Sequence, residues 1–344
     1  MAVRHVRPPA DAAMTQADSF APVLDAGRLR ALVASVALAA AGYLAFSLWA
    51  GWHDVAAAVR RAGVGGVATL LGLSAANYLL RFGRWQLYLE RLGTSVAWPR
   101  SMAIYLAGFA LTTTPGKAGE AVRCLFLRRH GLPYTAGIAA FVSERLSDLT
   151  AIVAIACVGL AGHPGLWPLV GISLGACVAL SALLCAGDTL ERLQARAAQS
   201  ASRVARAAQR ALGVARAAHA CHRPGVLLPV TALALMAWAC EAWAFHLLLG
   251  WLGQPAPWTF SFFVYAVGML AGAVSFLPGG LGGTEATMVG LLAWSGMALP
   301  DAVAATVLIR VCTLWFAVLL GVAALPIVAG ADRRQAGAAA GELG

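Results

Sequence analysis

Two Pro-Gly loops interrupt the apolar part of this chain, and each is followed at one fixed distance by an arginine. The loops occupy residues 112–120 and 275–285, and both end on a glutamate. The arginine that follows lies 25 residues after that glutamate in both cases, at Arg145 and Arg310. The copies are therefore offset by 165 residues, and a Tyr-x-x-Gly motif upstream recurs at an offset of 160. This self-similarity predicts a fold built from two related halves.

Composition indicates the surroundings in which these halves fold. Hydrophobic residues make up 60% of the chain, charged residues 12%, and the mean hydropathy is +0.75. Soluble domains carry about 25% charged residues, so the sequence predicts an all-α, polytopic integral membrane protein. The net charge of +10 does not argue for nucleic acid as a partner, because basic residues are expected in the cytoplasmic loops of membrane proteins.

Six apolar stretches are long enough to cross a bilayer. They cover about 29–50, 65–83, 135–160, 166–186, 226–251 and 301–327. Two pairs of stretches, 101–114 with 118–130 and 259–276 with 284–296, are each too short to cross about 30 Å of hydrocarbon at 1.5 Å per residue. We expect both pairs to form re-entrant helical hairpins with broken helices. The predicted loop and hinge residues are Pro115, Gly116, Gly119, Pro278, Gly279, Gly280, Gly282 and Gly283.

The placement of arginine predicts the orientation of the chain. Six crossings with most arginine-rich loops on one side put both termini in the cytoplasm, and the two hairpins then enter from opposite sides. The halves would form an inverted repeat, the arrangement from which many secondary transporters build one central site. The predicted segments are a disordered tail 1–27, a membrane domain 28–330 with repeat A at about 64–186, a basic helix 187–224 and repeat B at about 226–328, and a polar tail 331–344.

Charged residues within the apolar segments are the candidate site residues. They are Glu120, Arg123, Glu144, Arg145, Asp148, Glu241, Glu285 and Arg310. Each costs about 2.5–3.5 kcal/mol at the centre of a membrane helix, so we expect them to face the protein interior and to pair. The repeat predicts the pairs Arg145–Glu120 and Arg310–Glu285. Glu241, Glu144 and Asp148 are candidates for binding a coupling proton, whereas the alternative is that all these charges only hold helices together.

Lys117, the only lysine, lies in the first Pro-Gly loop. The half-helix after the break would present free N–H groups and a positive dipole end, which suits a phosphate, although an ordinary loop lysine is the alternative. In the basic segment, five arginines fall on one side if the segment is one helix: Arg192, Arg196, Arg203, Arg206 and Arg210. This stripe predicts a helix on the anionic cytoplasmic leaflet, with a solvated linker helix as the alternative.

These motifs together resemble a known family. Asn77, Arg81 and Arg84-Trp85, then Thr-Pro-Gly-Lys-Ala-Gly-Glu with Arg123, Glu144-Arg145-Leu146-Ser147-Asp148, and Leu-Pro-Gly-Gly-Leu-Gly-Gly-Thr-Glu with Arg310 resemble the lysylphosphatidylglycerol synthase transmembrane, flippase-like family. The resemblance covers roughly 30–328 and implies a domain that moves aminoacylated phosphatidylglycerol between leaflets in bifunctional members, whose separate soluble domain makes that lipid. The segment after 330 is too short for that soluble domain, so we expect a stand-alone member.

The resemblance implies a translocase of the inner membrane that moves a lipid with a phosphate headgroup, without a cofactor, a metal ion or a catalytic motif. Other stand-alone relatives are linked to hopanoid or polyprenyl-lipid pathways, which leaves the lipid open. Lys117, Arg123, Arg145 and Arg310 would contact the headgroup, and Glu120 and Glu285 would orient the arginines. The alternatives are a scaffold for a lipid-biosynthetic enzyme as partner and, less supported, an intramembrane transferase with Glu or Asp as base.

Overall fold

The computed structural model describes residues 27, 41–43, 52–114, 120–159, 167–200 and 202–341, which are mostly helical and contain no β-strand. From residue 52 onward the helices, in chain order, are α1 (Trp52–Arg91), α2 (Trp98–Phe109), α3 (Val122–Arg128), α4 (Tyr134–Gly159), α5 (Trp167–Cys185), α6 (Gly187–Ala198), α7 (Arg203–His219), α8 (Pro224–Trp251), α9 (Trp258–Val274), α10 (Gly283–Trp294), α11 (Leu299–Arg310) and α12 (Phe316–Gly341). A 3₁₀ turn, Pro278–Gly280, separates α9 from α10, and a π turn, Val311–Trp315, separates α11 from α12.

The helices α1 and α8 occupy equivalent positions in the two repeats and pack against each other in opposite directions. Near the middle of the pair, Asn77 Nδ2 donates a hydrogen bond to the carbonyl oxygen of Ala237 at 2.8 Å. Nearer the ends, Gly66 lies against the ring of Trp251. Asn77 and Ala237 are 160 residues apart, the offset found for the Tyr-x-x-Gly motif. Equivalent helices that meet antiparallel require repeats of opposite orientation, so the predicted inverted repeat is confirmed.

The remaining packing follows the same two-fold relation. Helix α2 packs along α12 as α9 packs along α4, and α1 packs on α11 as α8 packs on α4. Helices α4 and α11 begin 165 residues apart, at Tyr134 and Leu299. The short helices form two hairpins, named here hairpin A (α2 and α3, residues 98–128) and hairpin B (α9 and α10, residues 258–294). Small residues allow the close crossings, because a Cβ atom at Gly321 would overlap the backbone of α2.

Membrane-spanning length and composition are found in three helical stretches of the described residues: Trp52–Arg91, Pro224–Trp251 and Leu299–Ala331. A fourth, Gly171–Cys185 with Gly187–Ala198, qualifies only as a pair bent by 78°. The predicted span at 135–160 corresponds to α4, whose 26 residues extend about 39 Å. Because it carries three charged residues at 144–148, α4 is not among the helices with a membrane-spanning composition. These charged side chains contact other protein side chains.

The basic segment differs from its prediction. The sequence predicts one helix over 187–224, but the segment forms two helices, α6 and α7, that fold back on each other. Ser202 Oγ accepts a hydrogen bond from the Ala205 N–H and begins α7, and Arg216 Nη2 contacts Glu191 Oε1 at 2.8 Å across the pair. The prediction of a single stripe from Arg192 to Arg210 is therefore wrong, because these arginines lie on two antiparallel helices.

Two predictions concern the ends of the chain. The tail 1–27 and the first span 29–50 lie almost entirely outside the described residues, and Tyr43 from this region contacts the Trp315 ring at a centroid distance of 5.2 Å. At the other end, α12 continues to Gly341. The segment 331–344, predicted as a polar tail, is therefore helical over its described part, which its alanine-rich composition favours.

Candidate functional site

Both hairpins close where a glycine of the first arm meets a side chain of the second. In hairpin A, a Cβ atom at Gly108 would lie 2.8 Å from Cδ of Arg123. In hairpin B, Gly268 faces Met288 in the same way. Gly268 and Met288 are the repeat equivalents of Gly108 and Arg123, at offsets of 160 and 165 residues. The two hairpins therefore share this close approach of their arms but carry a cation in A where B carries a thioether.

The tip of hairpin B reaches hairpin A at the centre of the molecule. A Cβ atom at Gly279 would lie 3.5 Å from Cα of Thr113. Gly279, Gly280 and Gly282 have φ values of 64°, 68° and 87°, a left-handed backbone that favours glycine, as predicted for this loop. Gly283 begins α10. Lys117, with Pro115, Gly116 and Gly119, lies outside the described residues, so its predicted role stays a prediction.

Seven buried or partly buried charged residues form a cluster between α1, hairpin A and α4, named here the repeat A cluster. Its members are Arg81, Arg84, Arg123, Arg145, Glu120, Glu144 and Asp148. Glu144, which is fully buried, receives Arg123 Nη2 at 2.8 Å, Arg84 Nη2 at 3.3 Å and the Tyr105 hydroxyl at 3.1 Å. Arg84 Nη1 lies 2.7 Å from Asp148 Oδ1. With four arginines and three carboxylates, the cluster carries one excess positive charge when all are ionised.

The predicted pair Arg145–Glu120 is present, but it is not exclusive. Arg145 Nη2 lies 3.4 Å from Glu120 Oε2 and also 3.5 Å from Glu144 and 3.1 Å from Asp148. Its side chain is 24% exposed, the largest exposure in the cluster. Glu120 also accepts a hydrogen bond from Thr112 Oγ1 at 2.9 Å, which ties the two arms of hairpin A together.

The predicted pair Arg310–Glu285 is also present, and it is more isolated. Arg310 Nε lies 2.8 Å from Glu285 Oε1, and Arg310 Nη2 donates to the carbonyl oxygen of Gly279 at 2.8 Å. Arg310 Nη1 faces only the Met269 sulfur, at 3.9 Å, among the contacts of the described residues. Glu285 Oε2 accepts the Gly282 N–H at 2.7 Å, so the carboxylate also caps α10. Arg310 thus has one nitrogen with a weak acceptor.

A small cavity of about 30 Å³ lies where the repeats meet. Its lining includes both hairpins and residues from α1, α8, α11 and α12: Tyr78, Arg81, Phe109, Thr112, Glu120, Trp238, Glu241, Tyr265, Met269, Arg310, Thr313, Leu314 and Ala317. Three repeat-equivalent pairs face it, namely Tyr78 with Trp238, Arg81 with Glu241, and Phe109 with Met269. This volume holds about two water molecules, so a larger ligand enters only if a hairpin or side chains move.

The predicted site residues separate into two groups. Glu120, Glu241 and Arg310 line the cavity, whereas Arg123, Arg145, Glu144, Asp148 and Glu285 lie behind its wall, in contact with lining residues or with one another. Glu241 Oε2 accepts a hydrogen bond from the Tyr265 hydroxyl at 2.6 Å. Its role as a proton site stays a prediction, as do those of Glu144 and Asp148, which contact four and three arginines.

Sequence reasoning left Arg81 and Arg84 out of the site. They lie at the end of the predicted span 65–83, but α1 continues to Arg91 and brings both against α4. The signal was present in the sequence, because Asn77, Arg81, Arg84 and Tyr88 follow each other at spacings of four, three and four and so share one helix face. Arg81 also lies near the rings of Phe109 and Trp238, 5.6 and 5.7 Å from their centroids.

The described residues contain no group of three or more His, Cys, Asp or Glu side chains arranged to hold a metal ion.

Comparison with known proteins places the site in context. The family model for the lysylphosphatidylglycerol synthase TM region matches residues 32–321, which include both hairpins and the repeat A cluster. A UPF0104 membrane protein of Methanothermobacter thermautotrophicus is 23% identical over 324 residues, covering 86% of this chain and 92% of that protein.

Proposed function

Because this chain belongs to the lysylphosphatidylglycerol synthase TM region family of membrane proteins, we propose that it moves a lipid with a phosphate-bearing headgroup between leaflets. The movement involves no chemical conversion of the lipid and no ATP hydrolysis by this chain. We further propose that it acts in the inner membrane with both termini in the cytoplasm, as the arginine distribution favours.

One observation carries this proposal: the cavity lies where two broken hairpins of opposite orientation meet, and each repeat contributes an arginine to its wall. Arg81 comes from repeat A and Arg310 from repeat B. Both arginines already pair with carboxylates, and a guanidinium that also lines a cavity has further N–H donors with which it can bind an anion there. Inverted repeats with broken helices allow one such site to open alternately to the two sides of a membrane.

The headgroup phosphate has a defined place in this proposal. Arg310 Nη1, whose acceptor is the Met269 sulfur, would donate to one phosphate oxygen, and Arg81 would face the phosphate from the opposite repeat. A phosphate oxygen is a far better acceptor than a thioether, and a guanidinium can bind it through two nitrogens. Lys117 would meet the same headgroup at the mouth of hairpin A. The acyl chains would remain in the surrounding bilayer.

The proton is a second component of the proposal. Glu241 lines the cavity and is the repeat equivalent of Arg81, so a cation and an acid occupy related positions on the two sides. We propose that a proton on Glu241 accompanies the phosphate, because a neutral acid reduces the repulsion between the carboxylate and the anionic ligand. Glu144 and Asp148 would instead keep the arginines of repeat A in place.

A scaffold for a lipid-biosynthetic enzyme is the second candidate, and the density of the repeat A cluster favours it. Glu144 alone lies within 4 Å of four arginines, an arrangement that would hold α1, α3 and α4 together whether or not a lipid binds. A scaffold of this kind needs its ion pairs for folding only. The two candidates therefore differ in whether purified protein alone moves lipid.

Purified protein in proteoliposomes tests the proposal. Fluorescent phosphatidylglycerol, phosphatidylethanolamine and polyprenyl phosphate would be followed by quenching of the outer leaflet, with and without an imposed pH gradient. We expect one of these lipids to move faster than in protein-free vesicles, and fluorescent glucosylceramide, which lacks phosphate, to stay. Arg310→Gln should reduce the rate about tenfold or more, whereas Arg216→Gln, on exposed α7, should not. Movement no faster than in empty vesicles for all three lipids would contradict the proposal.

A further inference from the structure

We infer that hairpin B is the moving gate of the cavity and that Arg310, with its bonds to Glu285 and to the Gly279 carbonyl, is the latch that holds it closed. This inference rests on the proposed function, since it assigns the gate to a phosphate-binding site. The latch links three elements: α11, which carries Arg310, α10, which carries Glu285, and the 3₁₀ turn at the tip of the hairpin. Its members are almost fully buried, with Arg310 2% and Glu285 4% exposed.

Hairpin A is held differently. Arg123 on its second arm contacts Glu144 of α4 at 2.8 Å, donates from Nε to the carbonyl oxygen of Glu120 at 3.1 Å, and lies over the rings of Trp85 and Tyr105. These contacts fix hairpin A to two neighbouring helices, and they persist if Arg145 is lost.

The second arm of hairpin B lacks the counterparts of these contacts. The repeat equivalents of Arg123 and Glu144 are Met288 and Ile309, neither of which is charged. Within the described residues, Arg310–Glu285 is the ion pair that joins α10 to α11. One guanidinium therefore does for the second arm and tip of hairpin B what several groups do for the second arm of hairpin A. The first arm stays bonded to α8 through Tyr265 and Glu241, so the second arm and the tip are what a single exchange of partners can release.

Two further features of repeat B suit a moving element. The π turn Val311–Trp315 directly follows Arg310, whereas the equivalent residues 146–150 lie within the regular helix α4. Such turns loosen the helical hydrogen-bond pattern and are frequent at functional sites. In the tip, Phe276 has a φ of 51°, a left-handed conformation that is unfavourable for an aromatic residue, and its side chain is 73% exposed.

The N–H donors of the Arg310 guanidinium explain how a phosphate would release the tip of hairpin B. A phosphate oxygen that binds Nη1 would draw the guanidinium toward the cavity, and a second oxygen would compete with the Gly279 carbonyl for Nη2. Exchange of a carbonyl for a charged oxygen is favourable because ionised acceptors form the stronger bond. The tip would then be free to leave Thr113, opening the cavity on the side of hairpin B while hairpin A stays in place.

Hydrogen–deuterium exchange of the purified protein in maltoside micelles tests this inference without any transport. Segments 275–285 of hairpin B and 105–114 with 120–128 of hairpin A would be compared. We expect faster exchange in hairpin B of the wild type, and a further increase of about tenfold or more there in Arg310→Gln, which loses charge-assisted hydrogen bonds. The matched control is Arg145→Gln at the equivalent position, which should leave hairpin A unchanged because Arg123 still holds it.

Added ligands separate the sources of phosphate. Dioleoylphosphatidylglycerol should speed exchange at 275–285 and dioleoylglycerol should not. An equal effect of inorganic phosphate would show that phosphate is sufficient, and no effect of it would show that the lipid is required; both support the latch. Equal exchange in the two hairpins of the wild type, or no response to either phosphate compound, would overturn it. If exchange responds as expected but proteoliposomes move no lipid, the proposed function fails while the latch stands.

Discussion

Neutral replacement of the Glu285–Arg310 pair gives the sharpest prediction. The two side chains meet at 2.8 Å and are almost fully buried. Removing one member of a buried pair leaves the other charge uncompensated, which costs about 3–5 kcal/mol. Glu285→Gln should cost about this much, because the new amide oxygen still accepts the Gly282 N–H. Arg310→Gln should cost about 1.5–3 kcal/mol more, since it also loses the bond to the Gly279 carbonyl.

The double variant should recover most of this loss. Two amides in contact form a neutral hydrogen bond and leave no buried charge, so we expect a net cost of about 1–3 kcal/mol, from the Gly279 carbonyl alone. The coupling energy between the two sites should therefore be at least about 3 kcal/mol. Unfolding of wild type, both single variants and the double variant by SDS in mixed micelles, followed by tryptophan fluorescence, measures all four stabilities. Additive penalties, within about 0.5 kcal/mol, would refute the reasoning.

The same four proteins separate a headgroup-binding role of Arg310 from a purely structural one. If the charges serve folding alone, the double variant should regain activity together with stability. If Arg310 binds the headgroup, the double variant should fold but still fail to move lipid. Recovered lipid movement in the proteoliposome assay would contradict the headgroup-binding role of Arg310, whereas no lipid movement by any of the four proteins would favour the scaffold.

Three further predictions concern packing, a surface pair and pH. Gly321→Ala should cost about 1–3 kcal/mol in SDS unfolding because its Cβ overlaps the backbone of α2, whereas Gly330→Ala, with nothing within 4 Å, should be neutral; equal effects would contradict this packing. The pair Arg61–Asp301 is partly exposed, but Arg61 Nη1 also donates to the Leu252 carbonyl, so Arg61→Gln should cost about 0.5–2.5 kcal/mol, and a loss of about 4 kcal/mol or more would contradict this estimate. Burial lowers the pKa of His222, which lies outside the spanning helices, so the folded state favours the neutral imidazole over the protonated one. Thermal stability should therefore fall as pH drops below about 6.5, the unfolded value, and His222→Gln should remove part of that fall; an unchanged pH profile in the variant would contradict it.

The sequence predicts the parts of the fold that the two halves of the chain repeat. The 25-residue interval from glutamate to arginine predicted both ion pairs, because equal spacing in two related helical segments gives equal geometry. The equivalent starts of α4 and α11 show why the interval holds: each arginine occupies the same position along its helix. The tight glycine loop of hairpin B was predictable for the same local reason, since only glycine adopts its φ values readily.

Other features depended on tertiary contacts that spacing does not contain. Arg84 joins the repeat A cluster because α1 extends about two turns beyond the predicted span 65–83, and the packing of that extension against α4 is a tertiary contact. The basic segment breaks because Ser202 accepts a hydrogen bond from one of the first N–H groups of a new helix, that of Ala205, which competes with continuing the old helix. The two hairpins also differ in their ion pairs, because Met288 and Ile309 stand in repeat B where repeat A has Arg123 and Glu144. Spacing does not show that these two positions face each other in space.

The account depends on a phosphate headgroup reaching Arg310. Mass spectrometry of the lipids retained by purified protein tests this most directly, with wild type compared with Arg310→Ala and with the exposed control Arg216→Ala at matched folded yield. The account predicts that wild type and Arg216→Ala are enriched in one phosphate-bearing lipid over the membrane average and that Arg310→Ala loses this enrichment. Retention of bulk lipid in the same proportions by all three proteins would contradict it.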